Sequence, residues 1–302
     1  MGVVRARATN DLGAGGASRD RVIPIERDGK YALRVGETYF EVDPAVGGRI
    51  TQFSARGHNV LMPLDNLGDW TNGGSTFWTS PQASWGWPPP ETLDRHRYRS
   101  AVDGSSIVLT SQAVRIGAAT LRITKRFWAD PGDEAVNVSY TVTNRGDPVT
   151  LAGWEISRVA ATGVTFYSGA PPVALGGLNL PHTEQAQGVV WMDHAVQGAE
   201  GKLGANAGLG FVAYASPSLL FVKTFEDVAP GDAAAGEAPI ELYVKPGEYV
   251  EIEQQSAARA LETSDSLTYA LKWYIRPMRA DVQVAAGSES LLAFAKETAG
   301  VP

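Results

Sequence analysis

The segment Tyr249–Gln255 (YVEIEQQ) carries two carboxylates at a spacing suited to acid–base chemistry. Side chains alternate between the two faces of a β-strand, so Glu251 and Glu253 would share one face while Val250 and Ile252 point to the core. Two carboxylates on one face repel each other, which raises the pKa of one of them toward the range of a general acid or base. Glu253 and Glu251 are therefore candidate catalytic residues, with a solvated strand face as the alternative.

Histidine is the other side chain that could transfer a proton at neutral pH. The chain has four histidines, and His96 follows an aromatic segment closely enough to reach a cleft formed by it. The alternative is a surface histidine in a charged turn, since Asp94, Arg95 and Arg97 surround it. His182 and His194 lie in predicted loops and have similar alternatives.

Residues 72–90 hold three tryptophans, four prolines and a Gly-Gly step. Indole rings offer a large apolar face and one N–H donor, and prolines fix the backbone. A rigid aromatic loop of this kind suits a flat ligand with apolar faces and hydroxyl edges, such as a sugar ring. The alternative is a loop that plugs the open end of a β-sandwich. The candidate binding residues of this segment are Trp78, Gln82, Trp85 and Trp87.

Three basic residues could bind an anionic group on a ligand. Arg158 shares a face with Trp154 in the predicted strand 150–159, and an arginine there would bind a carboxylate or phosphate through two hydrogen bonds. Arg49 and Lys223 are further candidates. If two or more of them face the cleft, the ligand would be acidic, for example a uronic acid or a sugar phosphate. The alternative for each is a salt bridge at the rim of a sheet.

The elements that must position these residues are almost all strands. About a dozen β-type runs follow one another at intervals of 8–15 residues, and the loops between them carry turn residues. Only the tail has a strong helix signal, with Ser288 as N-cap and Gly300 after the last turn. The pattern predicts an all-β fold, a large antiparallel sandwich with a short C-terminal helix, as one domain over residues 21–302 after a flexible lead over residues 1–20. The predicted strands are residues 31–35, 38–42, 107–111, 114–116, 120–128, 135–144, 150–159, 188–192, 209–215, 218–225, 240–244, 249–255 and 267–275, and the predicted helix is 288–299.

Composition excludes several classes of function. The chain of 302 residues has a formal net charge of −7 and no run of basic residues, so no nucleic-acid partner is expected. No apolar stretch approaches about 18 residues, so no membrane span is expected. No metal-ligand spacing, phosphate-binding loop or dinucleotide fingerprint occurs, so neither a metal nor a cofactor is expected. The absence of cysteine fits the cytoplasm, and it fits the periplasm or secretion equally if a signal peptide has been removed.

Several segments, in order, resemble the galactose mutarotase-like superfamily, which includes aldose 1-epimerases and hexose-6-phosphate mutarotases, and in particular a bacterial branch of such domains. Residues 47–53 (GGRITQF) look like its early glycine-containing strand, and residues 72–89 look like the Gly-Gly loop that lines the sugar cleft. Residues 138–151 (VSYTVTNRGDPVTL) look like the strands that lead into the central binding strand. Residues 221–225 and 241–255 look like the late strands that carry the catalytic glutamate.

The resemblance implies a supersandwich with a concave sheet that holds a carbohydrate. It also implies a glutamate base, for which Glu253 is the favoured counterpart and Glu251 the next, together with a histidine acid. The chain departs from the pattern at Trp154, where the resemblance places a histidine near residues 153–155. An indole can stack on a sugar but cannot transfer a proton.

Three functions therefore remain open. The first is an enzyme that acts on a carbohydrate by acid–base chemistry, with anomer interconversion, epimerisation, or lyase or hydrolase cleavage of an acidic glycan as possible reactions. The second is a carbohydrate-binding module without turnover, which the departure at Trp154 favours. The third is a structural protein that keeps the sandwich and lacks a sugar site.

Overall fold

The strands of the structure form two large antiparallel sheets. The computed structural model describes residues 21–206 and 208–301, and the predicted lead over residues 1–20 lies outside them. The helices are α1 (Glu91–Asp94) and α2 (Glu289–Ala299). The strands are β1 (Ile25–Arg27), β2 (Lys30–Val35), β3 (Thr38–Asp43), β4 (Arg49–Ala55), β5 (His58–Asn59), β6 (Asp65–Asn66), β7 (Thr71–Asn72), β8 (Ser75–Ser80), β9 (Arg99–Asp103), β10 (Ser106–Thr110), β11 (Val114–Ile116), β12 (Ala119–Asp130), β13 (Ala135–Asn144), β14 (Val149–Ala160), β15 (Val164–Ser168), β16 (Val173–Ala174), β17 (Glu184–Ala186), β18 (Val189–Asp193), β19 (Gly201–Ala205), β20 (Phe211–Ala215), β21 (Leu219–Phe225), β22 (Ile240–Lys245), β23 (Tyr249–Gln255), β24 (Arg259–Leu261) and β25 (Ser266–Pro277).

The strand order places β14 and β23 near the middle of one sheet. That sheet runs β1-β2-β3-β4-β8-β14-β23-β22-β19-β16, with β5 and β24 paired at its side. The other sheet runs β17-β18-β15-β20-β21-β25-β13-β12-β10-β9, with β11 paired to β12. A short ribbon, β6-β7, stands apart from both. We call the first the cavity sheet and the second the back sheet.

Aromatic packing joins the two sheets. The Phe53 ring, on the cavity sheet, lies 5.3 Å from the rings of Phe221 and Trp273, both on the back sheet. Phe77 of the cavity sheet stacks 4.1 Å from Tyr140 of the back sheet. One hydrophobic core therefore lies between the sheets, and the predicted all-β sandwich is confirmed.

The C-terminal helix also forms as predicted. The Ser288 hydroxyl accepts a hydrogen bond of 3.2 Å from the backbone N–H of Leu291, which caps the first turn. Gly300 ends the helix with a φ of 66°, in the left-handed region that favours glycine. Leu291, Leu292 and Ala295 are buried in a second hydrophobic cluster on the outer side of the back sheet. No helix in the described part of the chain is long and apolar enough to cross a membrane.

The prediction of a loop over residues 72–90 is wrong for its first part. Residues 75–80 form β8, a strand near the middle of the cavity sheet, and all six of them are buried. Phe77 points into the core, while Trp78 points to the opposite side of the sheet. A strand buried on both faces lacks the polar–apolar alternation that reveals a half-exposed strand.

The Gly-Gly step positions β8 against the preceding loop. Gly73 has a φ of 80°, and a Cβ atom there would lie 2.0 Å from the carbonyl oxygen of Pro63. Only glycine fits both the backbone conformation and the close approach. Residues 82–94 then return across the end of the sheet through a short 3₁₀ turn and α1.

Candidate functional site

The face of the cavity sheet that points away from the core carries a cavity of about 630 Å³. On β23, Val250 and Ile252 are buried in the core, whereas Tyr249 and Glu251 line the cavity. Glu253 is on the same face as Glu251, as the period of two predicts. The cavity is lined by Trp70, Trp78, Gln82, Ala83, Gly86, Trp87, Trp154, Leu175, Gly176, Leu178, Lys202, Gly236, Glu237, Tyr243, Lys245, Tyr249 and Glu251.

A cluster of tryptophans forms one wall of the cavity. The Trp78 ring lies 5.7, 6.1 and 5.6 Å from the rings of Trp85, Trp87 and Trp154, and Trp70 lies 5.0 Å from Trp87. Trp78 and Trp154 face each other directly across the β8–β14 register. Trp85 packs behind this wall, where its Nε1–H donates to the carbonyl of Thr79 at 2.8 Å. Edge-to-face contacts of this kind hold flat apolar surfaces at fixed angles.

Glu253 lies directly behind the cavity wall. Its carboxylate accepts hydrogen bonds from Trp154 Nε1 at 2.8 Å and from Lys202 Nζ at 3.2 Å, both at Oε2. Glu253 is fully buried, and its Oε1 has no hydrogen-bond partner among the described residues. Burial, together with the charges of Glu241 and Glu251, raises the pKa of Glu253 to about 8, although Lys202 opposes the shift.

Lys202 bridges two carboxylates at the cavity surface. Its ammonium contacts Glu241 Oε2 at 2.5 Å as well as Glu253, and it lies 4.9 Å from the centre of the Trp154 ring. Burial disfavours the charged ammonium, but Glu253 and Glu241 outweigh burial and raise the pKa of Lys202. Burial also raises the pKa of Glu241. Lys202 therefore stays cationic, while the two carboxylates beside it readily hold a proton.

Arg158 forms an ion pair with Glu251. Arg158 Nε lies 2.7 Å from Glu251 Oε1, which is an ion-pair distance, although the angle at Nε is not that of a hydrogen bond. The guanidinium is fully buried between Trp70 and Trp78, with ring centres 5.5 and 5.6 Å away. The positive charge and the two rings fix the position of the one glutamate of β23 that a ligand in the cavity can touch.

Comparison with known proteins identifies the fold. No protein-family model matches the sequence, and no curated protein matches it. Solved structures do match. A galactose mutarotase-like protein from Clostridium acetobutylicum has a TM-score of 0.56 and 11% identity over 82% of this chain and 95% of its own. The chain has the galactose mutarotase-like fold.

Two other structures with this fold bear names that describe an activity. A candidate aldose 1-epimerase from Escherichia coli K12 matches with a TM-score of 0.54 and 12% identity over 82% of this chain and 99% of its own. A galactose 1-epimerase from Lactobacillus acidophilus NCFM matches with a TM-score of 0.50 and 11% identity over 85% and 98%. At these identities the likeness establishes the architecture of the galactose mutarotase-like fold and no more.

Of the predicted site residues, five line the cavity and three more, Trp85, Glu253 and Arg158, lie directly behind its wall. The remaining three lie away from the cavity. Arg49 is fully buried, pairs with Asp94 and donates to the carbonyl of Gly73 at 3.0 Å. Lys223 points into the core between the sheets, where it contacts Glu155 at 2.6 Å. Arg49 and Lys223 thus each have an interior carboxylate partner. Of the basic residues Arg49, Arg158 and Lys223, only Arg158 lies on the cavity face, so the condition for an acidic ligand, two or more of them facing the cleft, is not met.

His96 is the third of these residues. Its side chain is exposed at the end of α1, with Nε2 3.0 Å from Glu91 Oε2. The structure does not bring His96 to the cavity, because α1 turns the chain outward after the tryptophan wall. His194, in contrast, is buried beside β15, with Nε2 2.8 Å from Thr165 Oγ1.

Sequence reasoning missed several cavity residues. Tyr243, which lines the cavity, and Glu241, which contacts Lys202 from behind it, alternate on β22 in the same way as the glutamates of β23, so the signal for a shared face was present. Lys202 lies on β19 between Gly201 and Leu203, in a short strand without a recognisable strand pattern. Trp70 comes to the wall through the β6-β7 ribbon, and Glu237 through the loop before β22. Among the described residues, no group of three or more histidine, aspartate or glutamate side chains is arranged to hold a metal ion.

Proposed function

We propose that this protein binds a carbohydrate in the tryptophan-walled cavity and interconverts its anomers by acid–base chemistry. The observation that carries the proposal is the position of Glu251, an oriented carboxylate on the wall of a cavity lined by Trp78 and Trp154. Indole faces stack on the apolar faces of a sugar, and the few polar side chains among them can fix its hydroxyls. The names borne by two proteins of the same fold, a candidate aldose 1-epimerase and a galactose 1-epimerase, agree with this chemistry.

In the proposed reaction, Glu251 accepts the proton of the anomeric hydroxyl. The carbonyl forms as the bond between the anomeric carbon and the ring oxygen breaks, and the Lys202 ammonium stabilises the negative charge that develops on that oxygen. Ring closure on the opposite face of the carbonyl takes the proton back from Glu251, so the reaction is balanced without a cofactor. Glu241 and Glu253 hold Lys202 in place, which makes them positioning residues for this step.

The test is proton NMR of freshly dissolved pure anomers of glucose, galactose, glucuronate and galacturonate. The protein should accelerate equilibration of at least one sugar, and Glu251→Gln should reduce that acceleration by about 100-fold or more, since this is the usual contribution of a general base. Glu248→Gln, on an exposed carboxylate in the turn before β23, is the matched control and should leave the rate unchanged. If Glu251→Gln keeps the wild-type rate, Glu251 is not the base.

Carbohydrate binding without turnover is the second candidate. It is favoured by Glu253, the counterpart of the expected base, which is enclosed by Trp154 and Lys202 instead of facing the cavity. It predicts saturable sugar binding, weakened in Trp78→Ala and unchanged in Glu253→Gln, with no acceleration of anomer exchange by the wild type. The same NMR samples separate the two, because line broadening reports binding and integration of the anomeric signals reports turnover.

A further inference from the structure

The cavity is larger than one sugar ring requires. Its volume of about 630 Å³ lies within the range of about 300–1,000 Å³ that is typical of sites for drug-sized ligands. A hexose, with about a dozen non-hydrogen atoms, is smaller than such ligands. The residues that line the inner part of the cavity also differ from those that line the outer part, so the two parts can bind different portions of a ligand.

The inner part holds the charged groups described above. Trp154, Lys202 and Glu251 belong to it, and all three are mostly buried. A sugar placed here meets the proposed base and the ammonium group. This part alone accounts for the chemistry of a single ring.

The outer part is built by the turn after β8 and the loop before β22. Its wall consists of Gln82, Ala83, Gly86, Trp87, Gly236 and Glu237. Trp87 is 54% exposed, unlike Trp78 and Trp154, which are 2% exposed. Its ring is held edge-on by Trp70 and Trp78, at 5.0 and 6.1 Å, so its exposed surface is fixed in direction instead of folding down onto the protein. An exposed indole with a fixed orientation is costly in water unless a ligand covers it.

Polar groups suited to hydroxyls accompany this indole. Glu237 Oε1 accepts a hydrogen bond from the backbone N–H of Gln82 at 2.8 Å, which ties the two loops together across the cavity mouth. The Glu237 carboxylate and the Gln82 amide both line the cavity. Among the described outer residues named above, Glu237 is the only ionisable group, and the lining residue Lys245 is already paired with Glu248 at 2.9 Å, so the outer part favours an uncharged sugar unit over a uronic acid.

We propose that the ligand is an oligosaccharide of at least two units, with its reducing-end sugar against Glu251 and Lys202 and its second, neutral unit stacked on Trp87. The inference rests on the proposed function, because the reducing-end unit is the one with a free anomeric hydroxyl. Trp87 and Glu237 then determine ligand length, while the inner residues determine the reaction.

The test begins with an array of neutral mono-, di- and trisaccharides, followed by calorimetric titration of the best binder and of its reducing-end monosaccharide. The wild type should bind the longer sugar about tenfold more tightly than the monosaccharide, which is the step expected from one further stacked ring. Trp87→Ala should remove that gain and leave monosaccharide affinity within about twofold. Trp128→Ala is the matched control, on a half-buried tryptophan of the back sheet, and should change neither affinity.

Two results would overturn the oligosaccharide inference and leave the proposed function standing. One is equal affinity of the wild type for the longer sugar and for the monosaccharide, and the other is an equal loss of affinity for both sugars in Trp87→Ala. Anomer exchange of the monosaccharide tests the proposed function separately, because Glu251→Gln should slow it by about 100-fold or more whereas the exposed Glu248→Gln should not change its rate. If no sugar on the array binds to the wild type, the oligosaccharide inference is overturned, and the proposed function is overturned as well if none of glucose, galactose, glucuronate and galacturonate equilibrates faster with the protein.

Discussion

The indole of Trp154 donates a hydrogen bond of 2.8 Å from Nε1 to Oε2 of Glu253. Trp154 stands where the sequence resemblance places a histidine, and Glu253 stands where it places the catalytic base. An indole N–H can only donate a hydrogen bond, so this contact gives Glu253 no neighbour that can exchange a proton through Trp154. Glu253 is enclosed by this contact, whereas Glu251 and Lys202 line the cavity that a ligand would enter.

Trp154→Phe should raise the pKa of Glu253 above its value of about 8. The hydrogen bond from Nε1 stabilises the charged carboxylate, so its removal favours the protonated form. Hydrogen bonds to charged groups are worth about 1.5–3 kcal/mol, which corresponds to a rise of about one pKa unit or more. Carboxyl ¹³C NMR of glutamate-labelled protein measures the titration. Trp128→Phe is the control, and an unchanged or lower pKa in Trp154→Phe would contradict the assignment.

Glu253→Gln should change how stability depends on pH. The pKa of Glu253 is about 8 in the folded protein and near 4.5 when unfolded, so the folded state binds one more proton between these values. The wild type therefore loses stability relative to the variant as pH rises from about 4.5 to about 8. Urea unfolding at several pH values gives the difference in free energy of unfolding. The exposed Glu248→Gln should show no such slope, and a parallel pH dependence of wild type and Glu253→Gln would refute the shift.

Asp94→Asn should destabilise the protein by about 3–5 kcal/mol, the usual result when one partner of a buried ion pair is removed. Asp94 pairs with the fully buried Arg49, accepts from Trp78 Nε1 at 3.2 Å and accepts from the backbone N–H of Thr71 at 2.8 Å. The variant should also weaken sugar binding, because Asp94 anchors the tryptophan wall. Urea unfolding and ligand titration measure the two effects. Glu91→Gln, in the same helix but exposed, should have little effect on either; a mild Asp94→Asn phenotype would mean that the pair is not structural.

His194 should make the protein less stable in mild acid. Burial lowers its pKa from 6.5 to about 4, and the ring is bonded as the neutral form, with Nδ1 donating to the carbonyl of Ala160 at 3.0 Å. The unfolded chain protonates this histidine below 6.5 while the folded chain does not, so stability is complete above that pH and falls until about pH 4. The shift corresponds to about 3 kcal/mol. His194→Gln should flatten this part of the curve of unfolding free energy against pH, and His58→Gln, at an exposed site, should not.

Local patterns predicted the strands in which apolar and polar residues alternate. On β13, Val136, Val138, Tyr140 and Val142 alternate with polar residues and are all buried, and on β23 the same alternation separates the glutamates from the core valine and isoleucine. The N-cap and the C-terminal glycine of α2 could also be predicted from the sequence, because capping depends on residues a few positions apart. Strand β8 could not be predicted from the sequence, because both of its faces are buried and its residues therefore show no polar–apolar alternation.

The sequence by itself determined the all-β class, the shared face of Glu251 and Glu253, and the concentration of tryptophans in one segment, because these depend on neighbours along the chain. The tertiary structure decided which charges meet. Arg49, Arg158 and Lys223 look alike in sequence, yet one is paired with Asp94, one supports Glu251 in the cavity wall and one lies in the core against Glu155. Lys202 reaches Glu253 only because β19, β22 and β23 are adjacent in the sheet. Strand order brings together residues distant in sequence, and the burial that results sets their pKa values.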